Sequence, residues 1–183
     1  MSVERLNVLL VCTGNTCRSS MAEALLKQIA GEAELRVSSA GTAAFEGMGA
    51  SPHAIQVLGE QGIDLKSHRA RRVTAAMVAE ADLILTMTHE HKRSVLGLVP
   101  SAEGKVFTLK EFAAFGAGAG AGVNSGAGPG AGVGRSDGTR GGLEISDPYG
   151  GTVEVYRSTA EELEKILNIA VEKLKDWRRK PRN

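Results

Sequence analysis

Short apolar runs alternate along the chain with segments of helical periodicity. Residues 6–12 form a continuous apolar run with β-branched members, which is typical of a strand buried on both faces of a parallel sheet. Apolar side chains recur at helical spacing over residues 19–29. The same criteria predict further strands over 34–39, 82–87 and 105–109, and further helices over 51–61, 74–80, 89–98 and 152–177.

This alternation predicts the α/β fold class. Four parallel strands with helices on both faces would form a three-layer, doubly wound sheet of the flavodoxin-like type. The length of 183 residues is near that of a single domain, so we expect one domain over 1–183. Because open sheets of this kind bind ligands at the carboxyl ends of their strands, Cys12, which ends the first strand, is well placed for chemistry.

The stretch at about 116–142 differs from the rest of the chain, because Gly and Ala dominate it and large apolar side chains are nearly missing. Such a composition cannot form a core, and we expect a flexible surface insertion. A silk-like strand is the alternative, although Pro129, Arg135 and Asp137 interrupt it. The glycines do not follow the spacing of a dinucleotide-binding loop.

Composition narrows the classes of partner. Twenty-two Lys and Arg residues against 21 Asp and Glu residues give a net charge of +1, so no strong overall field attracts nucleic acid or an anionic membrane. Because no apolar run approaches the length of a membrane span, we expect a cytoplasmic protein without nucleic-acid or membrane partners. The two cysteines, Cys12 and Cys17, are too few for a disulfide framework.

The segment from Cys12 to Ser19 reads C-T-G-N-T-C-R-S and joins the first strand to the first helix. A loop that closes at a helix N-terminus can turn its N–H groups inward and bind phosphate. Arg18 offers a planar fork of donors to two phosphate oxygens, and its fixed charge favours the thiolate form of Cys12. Gly14 allows a close backbone approach, and Asn15 tolerates left-handed dihedral angles.

A second candidate segment lies far downstream, where residues 146–150 read S-D-P-Y-G. Asp147 is a good candidate for the general acid that a leaving group requires. By itself, however, the D-P-Y tripeptide is equally typical of a turn that precedes a helix.

These segments together resemble the low-molecular-weight protein tyrosine phosphatase family over nearly the whole chain. Within that family, C-T-G-N-T-C-R-S, M-T-H-E-H-K at 87–92 and K-V-F-T-L-K-E at 105–111 resemble the bacterial protein arginine phosphatases. Thr16 is similar to the arginine-specific pattern, whereas tyrosine-specific members usually carry a larger aliphatic residue at that position. A hydroxyl there could hydrogen-bond a guanidinium group or an ordered water.

The resemblance implies a mechanism without metal or other cofactor. Cys12 would attack phosphorus, Arg18 and the loop residues Thr13, Gly14, Asn15, Thr16 and Cys17 would surround the phosphate, and Asp147 would protonate the leaving nitrogen. Ser19 would stabilise the departing thiolate, Ser39 and His68 would brace the loop, and Tyr149 would form a wall of the entrance. It also implies that oxidants join Cys17 to Cys12.

The residues leave several alternatives open. Thr16 is also acceptable as an ordinary loop residue, His68 as a surface histidine, Tyr149 as a packing aromatic and Cys17 as a small loop hydrophobe. His89 and His91 lack the spacing of a zinc site. An arsenate reductase would need further cysteines after Cys17, and none follows. We expect a protein arginine phosphatase that acts on arginine-phosphorylated proteins; a tyrosine phosphatase acting on tyrosine-phosphorylated proteins is the main alternative, and a non-catalytic phosphate-binding module a distant one.

Overall fold

The computed structural model describes residues 5–31, 35–116 and 141–178. Its strands are β1 (Leu6–Cys12), β2 (Leu35–Gly41), β3 (Leu83–Thr86) and β4 (Val106–Thr108). Its α-helices are α1 (Arg18–Ala30), α2 (Pro52–Glu60), α3 (Ala75–Glu80), α4 (His89–Leu98), α5 (Leu109–Phe115) and α6 (Val153–Arg178), with short 3-10 helices at Pro100–Lys105 and Gly141–Leu143. Of the predicted insertion at about 116–142, residues 117–140 lie outside the described residues.

The four strands form one parallel sheet in the order β2-β1-β3-β4. The chain passes from β1 to β2 on one side and then to β3 and β4 on the other. The strand order therefore reverses at β1, and a crevice opens there at the carboxyl ends of the strands. Cys12 is the last residue of β1, so the sheet topology places it at this crevice.

Alternate residues of β1 pack against two separate apolar layers. Leu6, Val8 and Leu10 belong to the larger core cluster, which includes buried residues of α1, α2, α5 and α6. Leu9 and Val11 belong to the smaller cluster, which includes residues of α3 and α4. The predicted three-layer, doubly wound α/β architecture is thereby confirmed.

The end of β4 differs from the sequence prediction. We expected a strand over 105–109, but Leu109 is the first residue of α5. The Thr108 side chain accepts a hydrogen bond from the Glu111 backbone N–H, and the Glu111 carboxylate accepts one from the Thr108 N–H. This reciprocal capping box starts the helix immediately after a three-residue strand.

The long helix α6 packs along α1, α2 and α5 and carries Tyr156 towards the carboxyl end of β1. Near its other end, Trp177 lies edge-to-face with Phe107 and Phe112. These contacts fix the helix at both ends. Within the described ranges, none of the helices has the length and apolar character needed to cross a membrane.

Candidate active site

The loop that connects β1 to α1, residues 13–17, is called the Cys12 loop below. It follows the central strand β1, and α1 begins at Arg18 without a side-chain cap on its N-terminus. The unpaired N–H groups of the first helical turn therefore lie beside Cys12. Only 2% of the Cys12 surface is exposed.

Among the described residues, two hydrogen-bonding groups contact the Cys12 sulfur. The Ser19 Oγ lies 2.9 Å from Cys12 Sγ, and the Asn15 backbone N–H donates to the same sulfur at 3.3 Å. Ser19 is itself held by the Asn15 side-chain amide at 2.9 Å. A hydroxyl and an N–H group are thus in position to stabilise negative charge on this sulfur.

Asn15 is the structural centre of the Cys12 loop. It is fully buried, and its φ angle of 56° lies in the left-handed region that the sequence led us to expect. Its side-chain nitrogen donates to Ser39 Oγ at 2.8 Å as well as to Ser19, and its side-chain oxygen accepts the Arg71 N–H at 3.0 Å. The His68 Nε2 contacts its backbone carbonyl oxygen at 2.6 Å. The structure thus brings Asn15, Ser19, Ser39 and His68 together.

The turn after β2 closes tightly against the Cys12 loop. The N–H groups of Thr42 and Ala43 donate to the carbonyl oxygens of Cys12 and Thr13, both at 2.9 Å. A Cβ atom added to Gly41 would lie 2.4 Å from the Thr13 carbonyl oxygen. At Gly14, the position we expected to need close approach, a Cβ atom would meet only Thr16 Oγ1, at 3.5 Å. Of these two glycines, Gly41 and not Gly14 is therefore the one that the close packing requires.

Residues 144–150, the Asp147 loop, reach the Cys12 loop through Arg18. The buried guanidinium of Arg18 donates from Nη2 to Asp147 Oδ2 at 2.6 Å and from Nη1 to the Ile145 carbonyl oxygen at 3.4 Å. The Asp147 side chain is 52% exposed, and its other oxygen accepts the Tyr149 N–H at 3.1 Å. Cys12, Arg18 and Asp147, the three residues expected to carry chemistry, thus lie at one end of the sheet. In this structure the Arg18 guanidinium forms an ion pair with Asp147.

A cavity of about 370 Å³ opens above this pair. Of the predicted site residues, Thr13, Arg18 and Asp147 line it. The lining is completed by six residues that sequence analysis did not assign to the site: Thr88, Glu90, His91, Glu144, Ile145 and Ser146. Cys12, Thr16 and Tyr149 do not line it. Thr16 is half-buried with its hydroxyl 3.6 Å from Cys17 Sγ, and Tyr149 is 81% exposed.

Cys17 faces the helical layer rather than solvent. Its sulfur lies 3.2 Å from the hydroxyl of Tyr156, and both residues are buried. Burial, together with the contact to Cys17, raises the pKa of Tyr156 to about 12, so the phenol keeps its proton. Both cysteines are free thiols. Sequence analysis missed Tyr156, because only the tertiary packing of α6 brings it to the loop.

His91 is another buried polar residue to which sequence analysis gave no role in the site. We considered it only as a metal ligand, and among the described residues no three His, Cys, Asp or Glu side chains are grouped to hold a metal ion. The ring instead contacts two threonine hydroxyls, of Thr13 and Thr88. The pattern T-x-x-H, with Thr88 as the N-cap of α4, was the available signal.

Comparisons with known proteins agree with this geometry. Residues 7–125 match the family model described as low molecular weight phosphotyrosine protein phosphatase. A protein-arginine-phosphatase of Bacillus subtilis (strain 168) is 37% identical over 176 residues, which are 95% of this chain and 100% of that protein.

Two solved structures are similar over nearly the whole chain. A YwlE arginine phosphatase, a cysteine-to-serine mutant with a phosphorylated active-site serine, matches with a TM-score of 0.75 at 35% identity, over 95% of this chain and 99% of that one. A low molecular weight protein tyrosine phosphatase from T. tengcongensis matches with a TM-score of 0.72 at 37% identity, over 92% and 99%. The chain therefore belongs to the low molecular weight phosphotyrosine protein phosphatase family.

Proposed function

We propose that this phosphatase hydrolyses phosphoarginine in proteins through a phosphocysteine intermediate on Cys12. The observation that carries the proposal is the 2.6 Å contact between Arg18 and Asp147. It joins residues 129 positions apart and brings a carboxyl group to the loop that holds the buried cysteine. A buried nucleophile, a fixed cation and an acid at the same end of the sheet are the groups that phosphoryl transfer through a covalent enzyme intermediate requires.

In the first step, the Cys12 thiolate attacks phosphorus while the bond from phosphorus to the guanidine nitrogen breaks. The N–H groups of the Cys12 loop and the Arg18 guanidinium hold the phosphoryl oxygens. Asp147, in its protonated form, gives its proton to the departing nitrogen. Because guanidine is a strong base, its departure depends heavily on this proton.

In the second step, water attacks the phosphocysteine and Asp147, now a carboxylate, accepts a proton from that water. The bond from phosphorus to sulfur breaks and the Cys12 thiolate is released. Ser19, 2.9 Å from the sulfur, donates a hydrogen bond to the leaving thiolate, and Asn15 holds Ser19 in place. The enzyme then returns to its starting state with inorganic phosphate as product.

Thr16 supports the choice of phosphoarginine over phosphotyrosine. It belongs to the Cys12 loop and is only half-buried. Its hydroxyl can therefore accept a hydrogen bond from a guanidinium group near the phosphate. The whole-length similarity to a protein-arginine-phosphatase supports the same choice. Arginine-phosphorylated proteins are thus the proposed substrates.

Phosphotyrosine is the second candidate substrate. The family model is described by phosphotyrosine, and a tyrosine phosphatase structure is as similar to this chain as the arginine phosphatase structure is. The exposed ring of Tyr149, two residues after Asp147, is also suited to pack against an aromatic substrate.

One experiment separates the two candidates. The kcat/KM of the enzyme is measured on two peptides of equal sequence, one phosphorylated on arginine and the other on tyrosine. We expect the phosphoarginine peptide to be preferred, and we expect Thr16→Ile to shift the ratio towards phosphotyrosine by about tenfold or more, since an aliphatic side chain cannot replace the lost hydrogen bond.

Thr16→Val is the matched control, because it removes the hydroxyl and nearly keeps the shape. A shift with valine as well as isoleucine assigns the effect to the hydroxyl, and a shift with isoleucine alone assigns it to size. Equal rates on the two peptides, or faster hydrolysis of phosphotyrosine, would contradict the proposed substrate.

A further inference from the structure

The corner between β3 and α4, residues 86–91, lies between the Cys12 loop and the Asp147 loop. On the Asp147 side, the Met87 carbonyl oxygen accepts the Ile145 N–H at 2.9 Å, and the His89 N–H donates to Glu144 Oε1 at 2.9 Å. The Asp147 loop is therefore tied to the corner by two hydrogen bonds. The contact of the same corner with the Cys12 loop is made by His91.

His91 is 4% exposed and lies in the first turn of α4. Its Nε2 is 2.8 Å from Thr13 Oγ1, and its Nδ1 is 3.0 Å from Thr88 Oγ1. Burial, and next the charge of Arg18, lower the pKa of His91 to about 4, so the ring is neutral near pH 7. A neutral imidazole donates at one nitrogen and accepts at the other, and two hydroxyls can supply both complementary roles.

Thr13 follows Cys12 directly and is itself exposed, so its side chain is not held in place by burial. A hydrogen bond to His91 can hold it instead. Its carbonyl oxygen accepts the Ala43 N–H, and its hydroxyl meets His91. The Thr13 carbonyl and the Gly14 N–H share one peptide plane, so fixing Thr13 fixes the direction of the Gly14 N–H. That N–H belongs to the loop that receives the phosphoryl group.

We propose that His91 is a positioning residue, which holds Thr13 and so sets the Cys12 loop against the corner that also carries the Asp147 loop. The inference rests on the proposed role of the Cys12 loop in phosphoryl transfer. It does not depend on whether arginine or tyrosine carries the phosphate. The proposed action of His91 goes through its 2.8 Å contact with the Thr13 hydroxyl.

Three substitutions of His91 separate hydrogen bonding from packing. Glutamine places its terminal amide near the position of Nε2 and can still reach Thr13, whereas asparagine reaches only the position of Nδ1, towards Thr88. Phenylalanine keeps a ring and removes both contacts. We expect His91→Phe and His91→Asn to lower kcat/KM about tenfold, and His91→Gln to recover most of that loss.

The substrates and the inhibitor make the measurement specific for the Cys12 loop. The loss should be the same factor for a phosphopeptide and for p-nitrophenyl phosphate, since both place the same phosphoryl group in the loop. Competitive inhibition by inorganic phosphate should weaken in parallel. If His91 acted only by filling space, the ring of phenylalanine would restore activity at least as well as glutamine. Recovery by glutamine, without recovery by asparagine or phenylalanine, therefore indicates the hydrogen bond to Thr13.

Thr13→Val gives an independent test, since an exposed threonine can lose its hydroxyl without unfolding the protein. We expect the same loss of kcat/KM as in His91→Phe. The double variant should show no further loss, because both changes remove the same contact between His91 and Thr13. Ser94→Ala, on the exposed side of α4, is the control and should behave as the unsubstituted enzyme.

The proposal is overturned if Thr13→Val keeps full activity and phosphate inhibition, or if the losses of Thr13→Val and His91→Phe multiply in the double variant. Should His91→Phe fail to fold, Thr13→Val and His91→Gln decide the matter alone. Failure of the proposed substrate would appear differently, as weak hydrolysis of phosphoarginine by the unsubstituted enzyme with phosphate inhibition intact.

Discussion

The Cys12 loop and the Asp147 loop meet at one pocket but are held in opposite ways. Asn15 is fully buried, and hydrogen bonds to Ser19, Ser39, His68 and Arg71 engage its side chain and carbonyl group. Asp147 is half-exposed and reaches the pocket through Arg18. The geometry of the first loop is thus part of the folded core, whereas that of the second depends on contacts near the surface. Changes that disturb the Cys12 loop should therefore reduce both stability and turnover, whereas changes in the Asp147 loop should reduce mainly turnover.

The largest effect is expected on the acid side. Asp147→Asn keeps the shape and an acceptor for Arg18 but removes the transferable proton. Turnover of a phosphoarginine peptide should fall about 10²–10⁴-fold. The free energy of unfolding should fall by only about 1 kcal/mol, since Asp147 is half-exposed and the asparagine oxygen still accepts a hydrogen bond from the buried Arg18. The loss should be smaller for p-nitrophenyl phosphate, whose leaving group is a weak base. Equal losses on both substrates would argue against Asp147 as the acid.

On the nucleophile side, Gly41→Ala should reduce both stability and turnover. Its Cβ atom would lie 2.4 Å from the Thr13 carbonyl oxygen and 3.0 Å from the Asn15 nitrogen, so backbone of the Cys12 loop must shift. We expect a loss of about 1–3 kcal/mol in the free energy of unfolding and about tenfold in kcat/KM.

Gly49→Ala is the control for that substitution, because nothing lies within 4 Å of its added Cβ atom and its φ angle is not in the left-handed region. Denaturant unfolding and steady-state kinetics on both variants make the comparison. If Gly41→Ala proved as stable and active as Gly49→Ala, the Cys12 loop would be more tolerant than its packing indicates.

The smallest effect concerns His91 and pH. Its pKa is about 4 in the folded protein and 6.5 in its unperturbed form, so the unfolded chain binds the proton more readily as pH falls below 6.5. Folding stability from this group is present above pH 6.5 and is lost as pH falls towards 4. Between about pH 7 and pH 4.5 we expect the unsubstituted protein to lose about 2 kcal/mol more than His91→Gln.

Denaturant unfolding of both proteins at the two pH values gives that difference, in which the titration of other groups cancels. The charged groups that act on the ring are Arg18, Asp147 and Glu144. Parallel stability curves for the two proteins would show that His91 is not held neutral by its surroundings.

Local patterns predicted most of the fold and the nucleophile side of the site. The apolar run over β1, the C-T-G-N-T-C-R-S segment and the helix after it are consecutive, so one stretch of sequence contains the strand, the loop and the helix start. The left-handed φ angle at Asn15 likewise follows from residue type. Among the α-helices of the described residues, α5 was missed, because its capping box follows a strand of three residues.

Contacts between distant segments could not be predicted in the same way. The need for glycine at position 41 arises because β2 pairs with β1 so that Gly41 lies opposite Cys12, a register that neither segment reveals alone. Tyr156 reaches Cys17 across 139 positions, and His91 reaches Thr13 across 78. The family resemblance supplied Ser39 and His68 and supported Asp147, but it offered no signal for these packing partners.

The central claim is that the phosphoryl group passes through the sulfur of Cys12. Rapid acid quench during turnover of a phosphoarginine peptide, followed by digestion and mass spectrometry, tests it directly. We predict one phosphoryl group on the Cys12 side chain, formed within the first turnover, retained in Cys17→Ala and lost with all turnover in Cys12→Ala. Steady turnover without phosphoryl on Cys12, or turnover that survives in Cys12→Ala, would contradict the account.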